Sequence, residues 1–179
     1  MLRDGHLSSA PRTSNFFMKT LDLKRSPQHT LMTCYRCADN PTSHSFRSYD
    51  FIQGITYYYT APVEATVRIN TDEAYAEFKT HLDGARQDGR WIWLFDCSGM
   101  TLEHYSSVNF LRNLVHTLVE EHDQALQEVI ILHPSFWIRS AIWAMWPLMN
   151  GNLHRKIRFL ETKRELDLEL MDKRIHHLA

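Results

Sequence analysis

The chain has 179 residues and a mass of 21.2 kDa, with 44% hydrophobic and 23% charged residues and a formal net charge of -1. That length and balance suit one globular domain with a sizeable core and exclude a chain disordered throughout; 20 Lys and Arg against 21 Asp and Glu, with no dense basic tract, exclude the electrostatic footprint of a nucleic-acid binder. No secretory layout opens at Met1 and no apolar run reaches the roughly 18 residues that span a bilayer, so the chain is expected to be cytoplasmic, at most peripheral at membranes.

Residues 1–50 are rich in Ser, Thr, Asn and Arg, and Pro11, Pro27 and Pro41 interrupt any long element. They read as a leader, partly disordered or peripheral, with one strand around 31–34. Cys34 and Cys37 have CxxC spacing, and with Cys97 the total of three is odd, which is no disulfide framework. A closed zinc site takes four ligands, yet no second CxxC follows and neither His29 nor His44 stands at a signature spacing. The pair therefore reads as incidental, near a surface loop. No metal, redox role or cofactor is expected.

The domain proper is expected over 51–179. Residues 51–59, with Ile55, Thr56 and three consecutive tyrosines, have strand composition. Asn70 or Thr71 caps a helix whose Ala74, Phe78 and Leu82 recur at i, i+4 and i+8, with Gly84 or Gly89 closing it. WIWLF at 91–95 is a continuous apolar run ended by Asp96, the pattern of a central strand covered on both faces. A helix over 106–121 follows, with Phe110, Leu111, Leu114, Val115 and Leu118 as its stripe, then a buried strand at 128–132. Ser135 caps an aromatic helix from 136 to about 145, which Pro147 ends. A turn at 150–152, a strand at 157–160 and a charged helix over 163–171 complete the series. Strand and helix alternate, which predicts an α/β fold with a largely parallel sheet covered by helices.

Two elements raise functional questions. The aromatic helix is apolar nearly all round and carries one charge, Arg139 near its first turn, so it must be buried or face something apolar. Plain core accounts for the same composition. Asp96, Cys97, Ser98 and His133 stand at strand ends where open-sheet sites form, but on separate strands, with no nucleophile elbow, HExxH or phosphate-cradling loop. No enzyme is expected, and a turn-closing Asp96 and a loop-bonding His133 suffice.

VIILHPSFWIR at 129–139, continuing through Trp146, Pro147 and Leu148 to Lys156 and Ile157, resembles the characteristic stretch of divergent CRAL-TRIO domains. The nearest subgroup is the BCH-like kind found with Rho GTPase regulators and some macrodomain proteins, and the likeness covers roughly 52–170. The resemblance implies a sheet floor and a mobile gate helix that enclose an apolar ligand, typically a lipid or isoprenoid, with 136–149 supplying part of the gate. Tyr57, Tyr58, Tyr59, Trp137, Trp143 and Trp146 are the lining candidates. In phosphoinositide-transfer members a glutamate before the His-Pro strand pairs with a lysine before the last core strand. Here those places fall on Asp123 and Lys156, while the headgroup threonine's place is Leu153, a departure that weakens a phosphoinositide reading.

Arg139 is expected to meet a ligand phosphate, a partner protein or an internal carboxylate, and Arg155, Lys156 and Arg158 form a small basic cluster that could touch an anionic membrane in passing. The leading expectation is non-enzymatic binding, transfer or sensing of a lipid or similar hydrophobic small molecule. The alternative is a BCH-like interaction scaffold for a small GTPase or its regulator, or a homodimer formed through the aromatic patch. A third reading, an anti-sigma-antagonist type of domain with a phosphorylatable Ser98, leaves the aromatic helix without a place.

Overall fold

A computed structural model describes residues 34–67, 71–101, 104 and 107–178. The strand expected at 31–34, His29, Asn70 and the helix start at 106 fall outside the described residues, apart from Cys34 itself. The elements are α1 (Tyr35–Asp39), β1 (Phe46–Ile52), β2 (Ile55–Thr60), α2 (Asp72–Gln87), β3 (Trp91–Asp96) and α3 (Val108–Glu120). They continue through β4 (Leu126–Leu132), α4 (Phe136–Met145), a 3-10 turn (Trp146–Leu148), α5 (Gly151–Lys156), β5 (Ile157–Leu160) and α6 (Lys163–Leu178).

The single strand expected at 51–59 is a hairpin. Gln53 and Gly54 adopt φ of 55° and 74°, the two successive positive values that a tight two-residue hairpin turn takes, and Ile52 pairs with Ile55 across it. A boundary at residue 51 therefore cuts through β1, the antiparallel edge strand, with its residues 46–50 on the leader side. The other expected elements form close to their predicted bounds. Thr71 Oγ1, Ser107 Oγ, Ser135 Oγ and Asn150 Oδ1 accept hydrogen bonds from the backbone N–H groups of Ala74, Phe110, Ile138 and Leu153 and fix four helix starts. Gly84 lies inside α2, which ends at Gln87, and α6 runs seven residues past its predicted end.

The five strands lie in the order β1-β2-β3-β4-β5, with β1 antiparallel and the rest parallel. The α/β fold with a largely parallel sheet is as expected. Because right-handed crossovers in an unreversed strand order all fall on one side, α2, α3 and the α4–α5 unit share one face of the sheet. There Tyr58, Phe78, Leu82, Trp91, Trp93, Leu114, Leu118, Ile138 and Leu153 form one core cluster. The opposite face is left to α6, whose Leu166 and Leu170 pack on Tyr57, Tyr59, Ile92, Leu94, Ile130 and Leu132. Arg158 ties α6 to the sheet through ion pairs with Glu128 and Glu169.

Candidate ligand-binding site

On the three-helix face the core is not filled. A cavity of 340 Å³ lies between the sheet and the helices, floored by Trp93 and Phe95 of β3 and Val129 and Ile131 of β4. Phe110, Leu111, Leu114, Val115 and Leu118 of α3 wall one side. Ile138, Ala141, Ile142 and Met145 of α4 roof it, with Met149 and Leu153 beyond them, and Pro62, Val63, Met100 and His104 stand at loop positions around it. Its size lies within the range of small-molecule pockets, and its lining is apolar with few polar groups, the composition such sites share.

The stripe predicted on α3 thus faces the cavity. Leu114, Val115 and Leu118 are buried and Phe110 and Leu111 half-buried, and all five line the cavity. On α4 the cavity side is an i, i+3, i+4, i+7 series at 138, 141, 142 and 145, which one face of a helix produces. That spacing is the sequence signal for the lining, whereas the tryptophans of the same helix lie off this face.

None of the six predicted lining aromatics is among the residues around this cavity. Tyr57 and Tyr59 point to the α6 face, and Tyr58 is buried on the near face, stacked on Phe46, with its hydroxyl donating to Asp88 at 2.5 Å. Alternation along β2 forces the tyrosines apart, since neighbouring strand residues project to opposite faces. Phe136, Trp137 and Trp143 are 73%, 58% and 71% exposed and point away from the cavity. Trp146 stacks on the His154 ring at 4.0 Å, where His154 Nε2 also meets the Trp146 carbonyl at 2.9 Å. The helix, expected to be buried or to face something apolar, has one face on the cavity and one in solvent.

Arg139 meets an internal carboxylate, Glu161, and lies over the Phe159 ring at 4.7 Å, which joins α4 to the β5 end. Asp123 and Lys156 do meet. Lys156 Nζ donates to Asp123 Oδ1 at 2.9 Å and to its carbonyl, and Asn152 Nδ2 adds a bond at 3.1 Å. The Lys156 and Asn152 donors hold the Asp123 carboxyl below the usual carboxylate range. Lys156 is so engaged and Arg158 is held between Glu128 and Glu169, whereas Arg155 of the expected basic cluster is exposed and has no ion-pair partner among the described residues. No helix among the described residues is long and apolar enough to cross a membrane.

At the carboxyl ends of β3 and β4, Asp96 and Ser98 meet His133, which lies 35 residues beyond Ser98 in the sequence. The Ser98 hydroxyl bonds to Asp96 Oδ1 at 2.6 Å and meets His133 Nδ1 at 2.7 Å, while that same nitrogen lies 3.0 Å from Asp96 Oδ1. A proton relay needs the acid and the hydroxyl on different imidazole nitrogens, so this is a clamp between strand ends, with His133 held at φ 51°. Burial by itself raises the Asp96 pKa, but bonds from the Ser98 side chain, the Tyr59 hydroxyl, the Ser98 N–H and His133 outweigh it and hold the carboxyl down to about 2.

A depressed carboxyl stabilises the fold above its unfolded pKa and loses that contribution as pH falls through the folded value. Asp96 is therefore expected to contribute about 2 kcal/mol at neutral pH that disappears between about pH 4 and pH 2. Urea unfolding of the native protein and of Asp96→Asn across this range checks it. The stability difference between the two should shrink as pH falls, and a constant difference contradicts the assignment.

The described domain is thus an α/β domain with an apolar cavity between its sheet and its helices, roofed by α4. Residues 55–177 match the family model for the divergent CRAL/TRIO domain, and the chain belongs to that family. Domains of this family generally bind lipids or similar hydrophobic molecules and are not enzymes. Among solved structures the chain is similar to one titled "Crystal structure of Sfh5", at 9% identity and a TM-score of 0.49, covering 70% of this chain and 56% of that one. The chain thus spans little more than half the length of that neighbour. The comparison with curated proteins finds no match.

Proposed function

We propose that the chain binds the apolar part of a lipid-like molecule in the cavity under α4, and that α4 with its 3-10 turn acts as the gate. The carrying observation is the 340 Å³ apolar space roofed by the inner face of α4. The outer face of the same helix presents Phe136, Trp137 and Trp143 to solvent. Aromatic rings at a bilayer surface sit at headgroup level, so in this reading the outer face meets the membrane while the inner face covers the ligand. The Asp123–Lys156 and Arg139–Glu161 pairs are the polar ties at the two ends of the gate region. Both pairs are near the surface, where an ion pair is worth roughly 0–1 kcal/mol, a tie weak enough to open.

Native mass spectrometry of gently purified protein, with extraction of bound molecules, is expected to find one lipid-like molecule per chain, and stripped protein should take up fluorescent lipid from vesicles. Absence of both overturns lipid binding. The same exposed aromatics favour a second reading, a BCH-like scaffold that docks a small GTPase or its regulator, because large aromatic side chains dominate interface hot spots. In that case truncating Trp137 and Trp143 abolishes partner binding while cavity substitutions leave it intact.

A further inference from the structure

The segment 34–45 turns five of its residues inward without the large apolar side chains that ordinarily drive burial. Its buried residues are Cys34, Cys37, Ser43, His44 and Ser45, with no aliphatic side chain and no Phe, Tyr or Trp among them. Cys34 immediately precedes α1, Cys37 lies on it, His44 precedes β1, and His81 comes from the middle of α2. The two sulfurs and one nitrogen from each imidazole all lie within 4.8 Å of one another.

His44 Nδ1 is 3.4 Å from Cys34 Sγ, 3.4 Å from Cys37 Sγ and 3.2 Å from His81 Nε2. A ring nitrogen has either one proton or one lone pair, so three such neighbours exceed what it can serve by hydrogen bonds. A tetrahedral zinc ion with its usual bond lengths of about 2.3 Å to sulfur and about 2.0 Å to nitrogen sets its ligand atoms roughly 3.3–3.8 Å apart, close to the separations found. The outer contacts suit the same reading. His44 turns its other nitrogen, Nε2, toward the buried Glu77 Oε2 at 3.3 Å, and Arg36 Nε donates to Glu77 Oε1 at 2.8 Å. A carboxylate behind a ligating histidine fixes which nitrogen faces the metal. Cys34 and Cys37 are both free thiols, so no disulfide competes for them.

We propose that Cys34, Cys37, His44 and His81 form a structural zinc site that staples the segment before β1 to α2. Four buried protein ligands leave no open position for substrate, which sets the site apart from catalytic zinc. Two soft thiolates with two imidazoles in a tetrahedral set select zinc over the oxygen-seeking cations. The site shares no residue with the lining of the cavity and stands whether or not the cavity binds lipid. Sequence spacing concealed it because His81 lies 37 residues beyond His44.

The test is metal analysis of the full chain, purified without chelator and with any affinity tag removed. About one zinc per chain is expected, and cobalt added to chelator-stripped protein should produce the thiolate charge-transfer and intense visible bands of a tetrahedral dithiolate site. Cys34→Ser and His81→Ala should each lower zinc below about one tenth per chain, whereas His81→Cys, which keeps a four-ligand set, should retain it and so separate ligation from folding. Metal-free full-length protein with no cobalt bands and with both thiols reactive in the native state overturns the proposal. So does a full equivalent of zinc in both Cys34→Ser and His81→Ala.

Discussion

Trp93→Ala is expected to destabilise the domain by about 3–5 kcal/mol, enough to remove much of the stability of a single domain of this size. Trp93 is almost fully buried in the central strand, packed against Phe46, Phe78, Trp91 and Phe95. Its Nε1–H donates at 2.9 Å to the hydroxyl of Thr60, itself wholly buried. Alanine removes the ring contacts and leaves that hydroxyl without its donor, two costs that act together. Trp93→Phe restores most of the volume but not the N–H and should cost clearly less. Urea unfolding midpoints of the three proteins measure the ranking, and near-equality of the alanine variant with the parent contradicts the packing.

Ala141→Trp is expected to reduce lipid uptake from vesicles by at least about tenfold, equivalent to about 1.4 kcal/mol of binding free energy. Ala141 is the small residue on the cavity face of α4, so an indole there projects into the space that the ligand's apolar part would occupy. Overpacking also strains the fold, typically by about 1–3 kcal/mol, so circular dichroism and the unfolding midpoint are measured on the same sample. Trp143→Ala is the companion variant, because Trp143 is exposed and the cavity is unchanged by its loss. It should slow exchange at the membrane while leaving the amount bound at equilibrium near that of the parent. A folded Ala141→Trp that still takes up lipid normally rules out this cavity as the ligand site.

Much of the framework was legible because it depends on neighbours in sequence. Thr71, Ser107, Ser135 and Asn150 satisfy N–H groups three residues on, and each marks a helix start that a local pattern predicts. The run at 91–95 needs only its own composition to read as a central strand. The hairpin at Gln53 and Gly54 was missed because Gln is not one of the residues that usually announce a positive φ. Asp123 and Lys156 were reached through family resemblance rather than through any local signal, and the structure brings them into contact at 2.9 Å.

The sequence by itself determined the alternation of strands and helices from β2 onward, the largely parallel character of the sheet and the presence of a helix too apolar to be surrounded by water. Only the tertiary structure decided which side of each element does what. Alternation along β2 sends Tyr57 and Tyr59 to one face and Tyr58 to the other, and rotation about α4 sets Ile138, Ala141, Ile142 and Met145 on the cavity while Phe136, Trp137 and Trp143 face solvent. Tertiary structure also gathers Asp96, Ser98 and His133 at adjacent strand ends, and Cys34, Cys37, His44 and His81 around one point. Local propensity acts over a few residues, whereas such convergence depends on where the sheet and its crossovers place distant segments.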